Sequence, residues 1–200
     1  MSPIYSEFQM SAIQELGNIG TGSAATALSQ MVGQPTDIDP PLVDFVPIAE
    51  AAERVGPLEQ EVFAVLTPVV GDVPAAILLV FPGEAAAALC GMLGCDWRDE
   101  MGQSALQEIG NILTASYSTA LQQMTGLAIE PAPPHTAFDM LGSVVDTIIA
   151  SSAVESDTVL FLKTALRIES TACDFGFLFV PEQGAINGML AALGLGEGVQ

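Results

Sequence analysis

Cationic side chains are almost missing from this 200-residue chain. Arg54, Arg98, Lys163 and Arg167 stand against 24 acidic residues, a formal net charge of −20. Four scattered positive charges cannot neutralise a phosphate backbone, so nucleic acid is excluded as a partner. Anionic membrane surfaces are disfavoured for the same reason. The acidity fits a solubility device, adaptation to a salty (halophilic) cytoplasm, or an acidic docking face for a basic patch. Long apolar runs are missing too: Val73 to Phe81 is the longest, far short of the roughly 20 residues of a spanning helix. The opening MSPIYSEF has neither basic residues nor an apolar stretch, so no secretory signal is expected and the chain reads as soluble and cytoplasmic.

Metal-binding and redox side chains are equally scarce. Cys90, Cys95 and Cys173 are an odd number, and without export they read as reduced, buried thiols. Cys90-x4-Cys95 has no second pair to complete four zinc ligands. The one histidine, His135, falls in PAPPHTAF, which reads as a proline-rich surface turn. No metal site is predicted, and no cofactor.

What the chain does contain is a repeat. Ser-x3-Glu-x2-Asn-x22-Pro occurs as Ser11, Glu15, Asn18 and Pro41, and again 93 residues later as Ser104, Glu108, Asn111 and Pro134. The surrounding text repeats as well: SAIQELGNIGTGSAATALSQMVG against SALQEIGNILTASYSTALQQMTG. Such internal similarity is read before any local signal. Each half opens on a long helical pattern, about residues 6–32 and 99–125, ended by Gly33 and Gly126. A proline-bearing loop follows, then β-like runs: VDFVPI, EVFAVLTPVV and PAAILLVF in one half, SVVDTIIASSA, TVLFLKTALRI and DFGFLFV in the other. A short helix after a proline closes each half, PGEAAAALCGMLG and PEQGAINGMLAALG. This predicts an α+β fold with a pseudo-twofold duplicated unit. Its shared antiparallel sheet is flanked by long helices, without short βαβ alternation. One domain over residues 1–200 is expected, made of homologous halves of about 1–96 and 97–200, each needing the other to cover its apolar surface.

Gly17-Asn18-Ile19-Gly20-Thr21-Gly22 invites a nucleotide-loop reading, but it matches neither a dinucleotide fingerprint nor a P-loop, and no strand precedes it. Glycines inside a helix cost about 1 kcal/mol each against Ala, so close approach of the two long helices near Gly20 is the better explanation. At about 100° per residue, Ser11, Glu15, Asn18 and Gly22 form one helical stripe. Ile13, Leu16, Gly20, Ala24, Ala27 and Met31 lie on the opposite side and must face inward. The second helix repeats this, with Ser104, Glu108, Asn111 and Ala115 against Leu106, Ile109, Leu113, Tyr117, Ala120 and Met124. Each half thus presents a carboxylate and a carboxamide one turn apart. Asn is a poor choice at an exposed mid-helix position, and its recurrence at one register calls for a reason.

Di-metal carboxylate bundles need Glu-x-x-His, and Asn stands in the histidine position in both copies. A paired-carboxylate hydrolase needs Glu15 and Glu108 close together, and their placement opposite the packing stripes should keep them apart. Ser11 and Ser104 have no histidine base within either repeat. There remain a carboxylate able to pair with a cation and a carboxamide able to position water, as Gln does in GTPases.

These residues resemble the CheC/CheX/FliY family of phosphatases, which act on the phosphorylated response regulator CheY. The family pattern is Asp or Ser, three residues, Glu, two residues, Asn, twenty-two residues, Pro. Both copies match it, including the distant proline, and the two-site arrangement is similar to CheC rather than one-site CheX. The resemblance implies a CheC-like fold and hydrolysis of an aspartyl phosphate on a docked CheY-like receiver. Glu15 or Glu108 would pair with the receiver's active-site Lys, and Asn18 or Asn111 would hold water in line with phosphorus. Mg2+ would come with the receiver. Ser11 and Ser104 would cap, space the helix or touch the partner, and Pro41 and Pro134 would shape the loop after it. The receptor deamidase CheD is a further implied partner. The alternative is a non-enzymatic module of the same fold, regulating CheD or resembling the flagellar-switch protein FliM.

Overall fold

The long helices begin and end where their capping signals lie. In a computed structural model describing residues 5–151, 158–168, 171–182 and 184–196, α1 spans Glu7–Val32. Its N-cap is Ser6, whose hydroxyl accepts from the Gln9 backbone N–H while the Gln9 side chain accepts from the Ser6 N–H. This reciprocal box satisfies two otherwise orphaned donors. The corresponding helix of the second half, Glu100–Thr125, is capped by Asp99, which accepts from the Gly102 N–H at 2.7 Å. Gly33 and Gly126 end the two helices at φ of 73° and 71°, a left-handed geometry that disfavours side chains. Ser11 and Ser104 therefore cap nothing; each sits well inside its helix.

After α1 come β1 (Thr36–Ile38), β2 (Leu42–Pro47), α2 (Ile48–Val55), β3 (Glu61–Gly71), β4 (Ala75–Pro82) and α3 (Gly83–Met92). The second half repeats the order with α4 (Glu100–Thr125), β5 (Ile129–Pro131), β6 (His135–Met140), α5 (Leu141–Ser151), β7 (Thr158–Ile168), β8 (Thr171–Pro181) and α6 (Ala185–Ala192). The strands form one antiparallel sheet, β1-β7-β8-β4-β3-β5, with β2 also along β7 and β6 also along β3. The halves trade strands. β1 and β2 of the first half pair with β7 of the second, Leu42 opposite Lys163 through Pro47 opposite Thr158. β5 and β6 of the second pair with β3 of the first.

The strands read as nearly continuous apolar runs because both sheet faces are covered. Phe63, Val65, Ile77, Leu79, Leu162, Phe175 and Phe177 point to the face carrying α1, α3, α4 and α6. Val62, Ala64, Leu78, Val80, Val159, Phe161 and Leu178 point to the other, beneath α2 and α5. Among the described residues no helix is long and apolar enough to cross a membrane.

Four expectations need correction. SVVDTIIASSA is not a strand: α5 runs through it to Ser151, and Ser152 and Ala153 lie outside the described residues. Its β-branched content suggested extension, but Leu141, Val144 and Val145 are buried at i, i+3 and i+4, a helical spacing. Ala51 and Ala52 are likewise buried, on α2, a helix that the strand-only reading of each half's middle omitted. His135 is not in a turn but opens β6, opposite Leu66, and is exposed. On the long helices Leu28 is fully buried, whereas Met124, expected inside, is 38% exposed.

The seam between α1 and α4 is tight. A Cβ on Gly20 would lie 2.5 Å from Cδ1 of Tyr117, so the close approach expected at Gly20 is present. The Tyr117 hydroxyl meets the Thr21 hydroxyl at 2.7 Å, and its ring centroid lies 4.5 Å from that of Phe177. Burial pushes the Tyr117 phenol up to about 12, opposed in part by the Thr21 hydrogen bond. The positions equivalent to Gly20 and Tyr117 are Leu113 and Ala24, both fully buried. Small faces large in one pair, and the exchange of sizes in the other accounts for glycine surviving in only one copy.

Candidate functional site

Inward packing of α1 on Ile13, Leu16, Gly20 and Ala24 turns the opposite stripe to solvent. Ser11, Glu15 and Gly22 are exposed and Asn18 is half-buried; Ser104, Glu108, Ala115 and Asn111 repeat this on α4. One turn of helix brings each pair into contact. Asn18 Nδ2 donates to Glu15 Oε2 at 3.4 Å, and Asn111 Nδ2 donates to Glu108 Oε2 at 3.4 Å. Both bonds are solvent-exposed and neutral on the donor side, so the carboxylate can leave the amide for a charged partner that binds it more strongly. The ion pairs among the described residues use Arg54, Arg98 and Arg167, and none involves Glu15 or Glu108.

Pro41 is buried against α1 beside the pair: a Cβ on Gly17 would sit 3.0 Å from Pro41 Cγ and 3.5 Å from Leu162. The distant proline therefore belongs to the site. Gly110, the counterpart of Gly17, lies against Val65, where a Cβ would be only 2.9 Å away. Pro134 is half-buried at the start of β6. Both helices thus pass close to a long strand of the opposite half.

One residue escaped the sequence reading. Gln14 Nε2 donates to the Pro41 carbonyl at 2.5 Å and to Asn18 Oδ1 at 3.3 Å. Its signal was in the repeated stretch, where Gln107 occupies the same position before Glu108. The GNIGTG segment is continuous helix, so it offers no loop of amides to a phosphate. Among the described residues no group of three or more His, Cys, Asp or Glu is placed to hold a metal ion. Burial, followed by the Cys95 thiol beside it, pushes the Cys90 thiol up to about 12, which makes it a poor nucleophile. A groove of about 200 Å³ lies between β6 and α5, lined by Ala64, Leu66, His135, Asp139 and Thr147. Ala64 and its neighbours belong to the sheet face away from the Glu-Asn helices.

The profile of the CheC-like family matches residues 8–43 and 101–136, the two stretches that hold the repeated motif. The chain is 30% identical over 169 residues to the CheY-P phosphatase CheC of Bacillus subtilis, covering 78% of this chain and 81% of that protein. Its fold is similar to the crystal structure of Thermotoga maritima FliY, at a TM-score of 0.75 and 21% identity, over 98% of this chain and 100% of the other. It also resembles a chain of the CheX-CheY-BeF3-Mg complex from Borrelia burgdorferi, at a TM-score of 0.52 and 15% identity, over 83% and 97%.

Proposed function

The chain belongs to the CheC-like family, and from this we propose that it hydrolyses the aspartyl phosphate of a phosphorylated CheY-like receiver. The observation that carries the reading is the Glu-Asn pair repeated with one geometry on two exposed helix faces. A pair on an exposed helix face suits a macromolecular substrate better than a small molecule, which binds in concave pockets. The receiver would lie along α1 or α4, and its active-site Lys would draw Glu15 or Glu108 out of its bond to Asn. The freed carboxamide of Asn18 or Asn111 would enter the receiver's site and hold a water in line with phosphorus. The water oxygen bonds to phosphorus, the bond to the aspartyl oxygen breaks, and the receiver carboxylate leaves with the electron pair. The proton released by the water ends on phosphate or solvent. The receiver brings Mg2+ to its own phosphate, and this chain supplies no metal or cofactor.

An acyl phosphate is already labile, so a hundredfold acceleration needs about 2.7 kcal/mol. Positioning one water is sufficient for that. The mechanism needs no general base from Asn, which has none to offer near neutral pH. CheD is proposed as a second partner on family grounds.

The test is phosphate release from a phosphorylated receiver by the wild type, Asn18→Ala, Asn111→Ala and the double variant. Each single variant should lose the activity of one site, and the double variant should return to the receiver's spontaneous rate. Full activity in the double variant would eliminate the water-positioning mechanism. Stable binding of CheD with no effect on phospho-receiver lifetime would favour the non-enzymatic alternative.

A further inference from the structure

We propose that Gln14 is a positioning residue that fixes the rotamer and the flip state of the Asn18 carboxamide, making the first site preorganised in a way the second is not. The proposal rests on the phosphatase reading for its kinetic consequence, though not for its geometry. Gln14 Nε2 carries two N–H groups. One goes to the Pro41 carbonyl at 2.5 Å and the other to Asn18 Oδ1 at 3.3 Å. A carboxamide nitrogen can only donate. Turning Asn18 over would set its own Nδ2 donors against those of Gln14, so only one of the two amide orientations is compatible with the latch.

The anchor is itself held rigidly. Pro41 is buried with its ring against Gly17, and its carbonyl therefore offers Gln14 a fixed acceptor. The proline 23 positions after Asn18 thereby acquires a physical role, tying the amide on the helix to the loop that follows. Asn18 Oδ1 has two lone pairs. Gln14 takes one, and the other remains for the hydrogen of a water. When a docking lysine removes Glu15 from Asn18 Nδ2, Gln14 becomes the remaining restraint on the amide.

The second site is different. Gln107 stands at the equivalent position, yet among the described hydrogen bonds Asn111 has Glu108 as its partner and Gln107 has neither Asn111 nor Pro134. Once Glu108 is drawn away, the Asn111 carboxamide has to be oriented by the partner alone. The two sites share their reacting groups and differ in what holds them.

The experiment isolates each site. In the Asn111→Ala background, where the first site acts alone, Gln14→Met keeps chain length but removes both donors. It should lower kcat about fivefold, the worth of one lost neutral hydrogen bond, with KM unchanged within about twofold. Gln14→Lys, whose ammonium can donate to both carbonyls, should restore kcat. Gln107→Met in the Asn18→Ala background should leave kcat unchanged. An unaltered kcat for Gln14→Met, or failure of Lys to restore it, overturns the proposal; the latter outcome would assign Gln14 a packing role. Side-chain amide NMR distinguishes this failure from failure of the phosphatase reading. The Asn18 δ-amide order parameter should drop in Gln14→Met while that of Asn111 stays unchanged. Loss of the latch with no enzymatic activity in any variant would sink the phosphatase reading alone; an unchanged Asn18 amide would sink the latch whatever the activity.

Discussion

Gly20→Ala and Gly22→Ala are one substitution made two residues apart on α1, and they should move stability in opposite directions. In both cases the helix gains about 1 kcal/mol, because Ala loses less backbone entropy than Gly on becoming helical. At Gly22 nothing lies within 4 Å of the added methyl, so about 0.5–1 kcal/mol of that gain should appear as stability. The second half already carries Ala115 at this register. At Gly20 the methyl would lie 2.5 Å from Cδ1 of Tyr117 and 2.9 Å from both Cε1 and Cγ. These atoms are near the root of a rigid ring and cannot swing aside like a chain end. The ring is 4% exposed, packed on Phe177 and tethered through its hydroxyl to Thr21. Overpacking of this kind costs about 1–3 kcal/mol, and moving the phenol would forfeit about 1 kcal/mol more with the Thr21 bond. Gly20→Ala should therefore destabilise by about 1–3 kcal/mol after the propensity gain is subtracted. Urea titrations followed by far-ultraviolet circular dichroism would read this as midpoints displaced to either side of the wild type. In a Tyr117→Ala background the penalty at Gly20 should vanish, since the two residues couple through one contact. A Gly20→Ala midpoint at or above the wild-type value would refute the seam geometry.

The buried phenol makes a pH prediction. Tyr117 ionises near 10 when unfolded and near 12 when folded, so its contribution is fully present below pH 10 and is lost as pH rises from 10 through 12. The amount is on the order of 2.7 kcal/mol. By pH 11.5 about 2 kcal/mol of this should be gone relative to pH 9. In urea titrations Tyr117→Phe should lose about that much less than the wild type, the remaining loss coming from groups such as the Cys90 thiol, raised over the same range; an equal loss in both proteins would contradict the burial of the hydroxyl. Strand exchange makes another. Residues 1–96 expressed alone lack β7, the partner of β1 and β2, and should give no cooperative unfolding transition until mixed with residues 97–200. A stably folded monomer of residues 1–96 would show that the exchange is dispensable.

How much of this was legible in the sequence depended on whether the signal was local. The long helices were, because apolar periodicity and a closing Gly33 or Gly126 are local signals; the caps Ser6 with Gln9 and Asp99 with Gly102 are equally local but were found only in the structure. The outward stripe of Ser11, Glu15, Asn18 and its copy was legible too, since helical periodicity alone divides the two faces. The middle of each half was not. A Val- and Ile-rich run such as SVVDTIIASSA satisfies both strand propensity and helical spacing, and α5 is settled by tertiary burial of Leu141, Val144 and Val145. Gln14 was hidden for a further reason. Its contact with Pro41 spans 27 residues and depends on the loop folding back, which no window around the helix records.

The strand exchange also bears on why both halves persist even with unequal sites. Gly17, beside Asn18, packs on Leu162 of the second half, and Gly110, beside Asn111, packs on Val65 of the first. Each site's helix thus rests on a strand that belongs to the other repeat. A substitution that silenced one Glu-Asn pair would leave its half indispensable, because Val65 of β3 and Leu162 of β7 lie against the helix of the opposite site. Chemistry at either site can then drift separately while the scaffold remains under common constraint. The differing hydrogen bonding of Gln14 and Gln107 is the form that such drift takes.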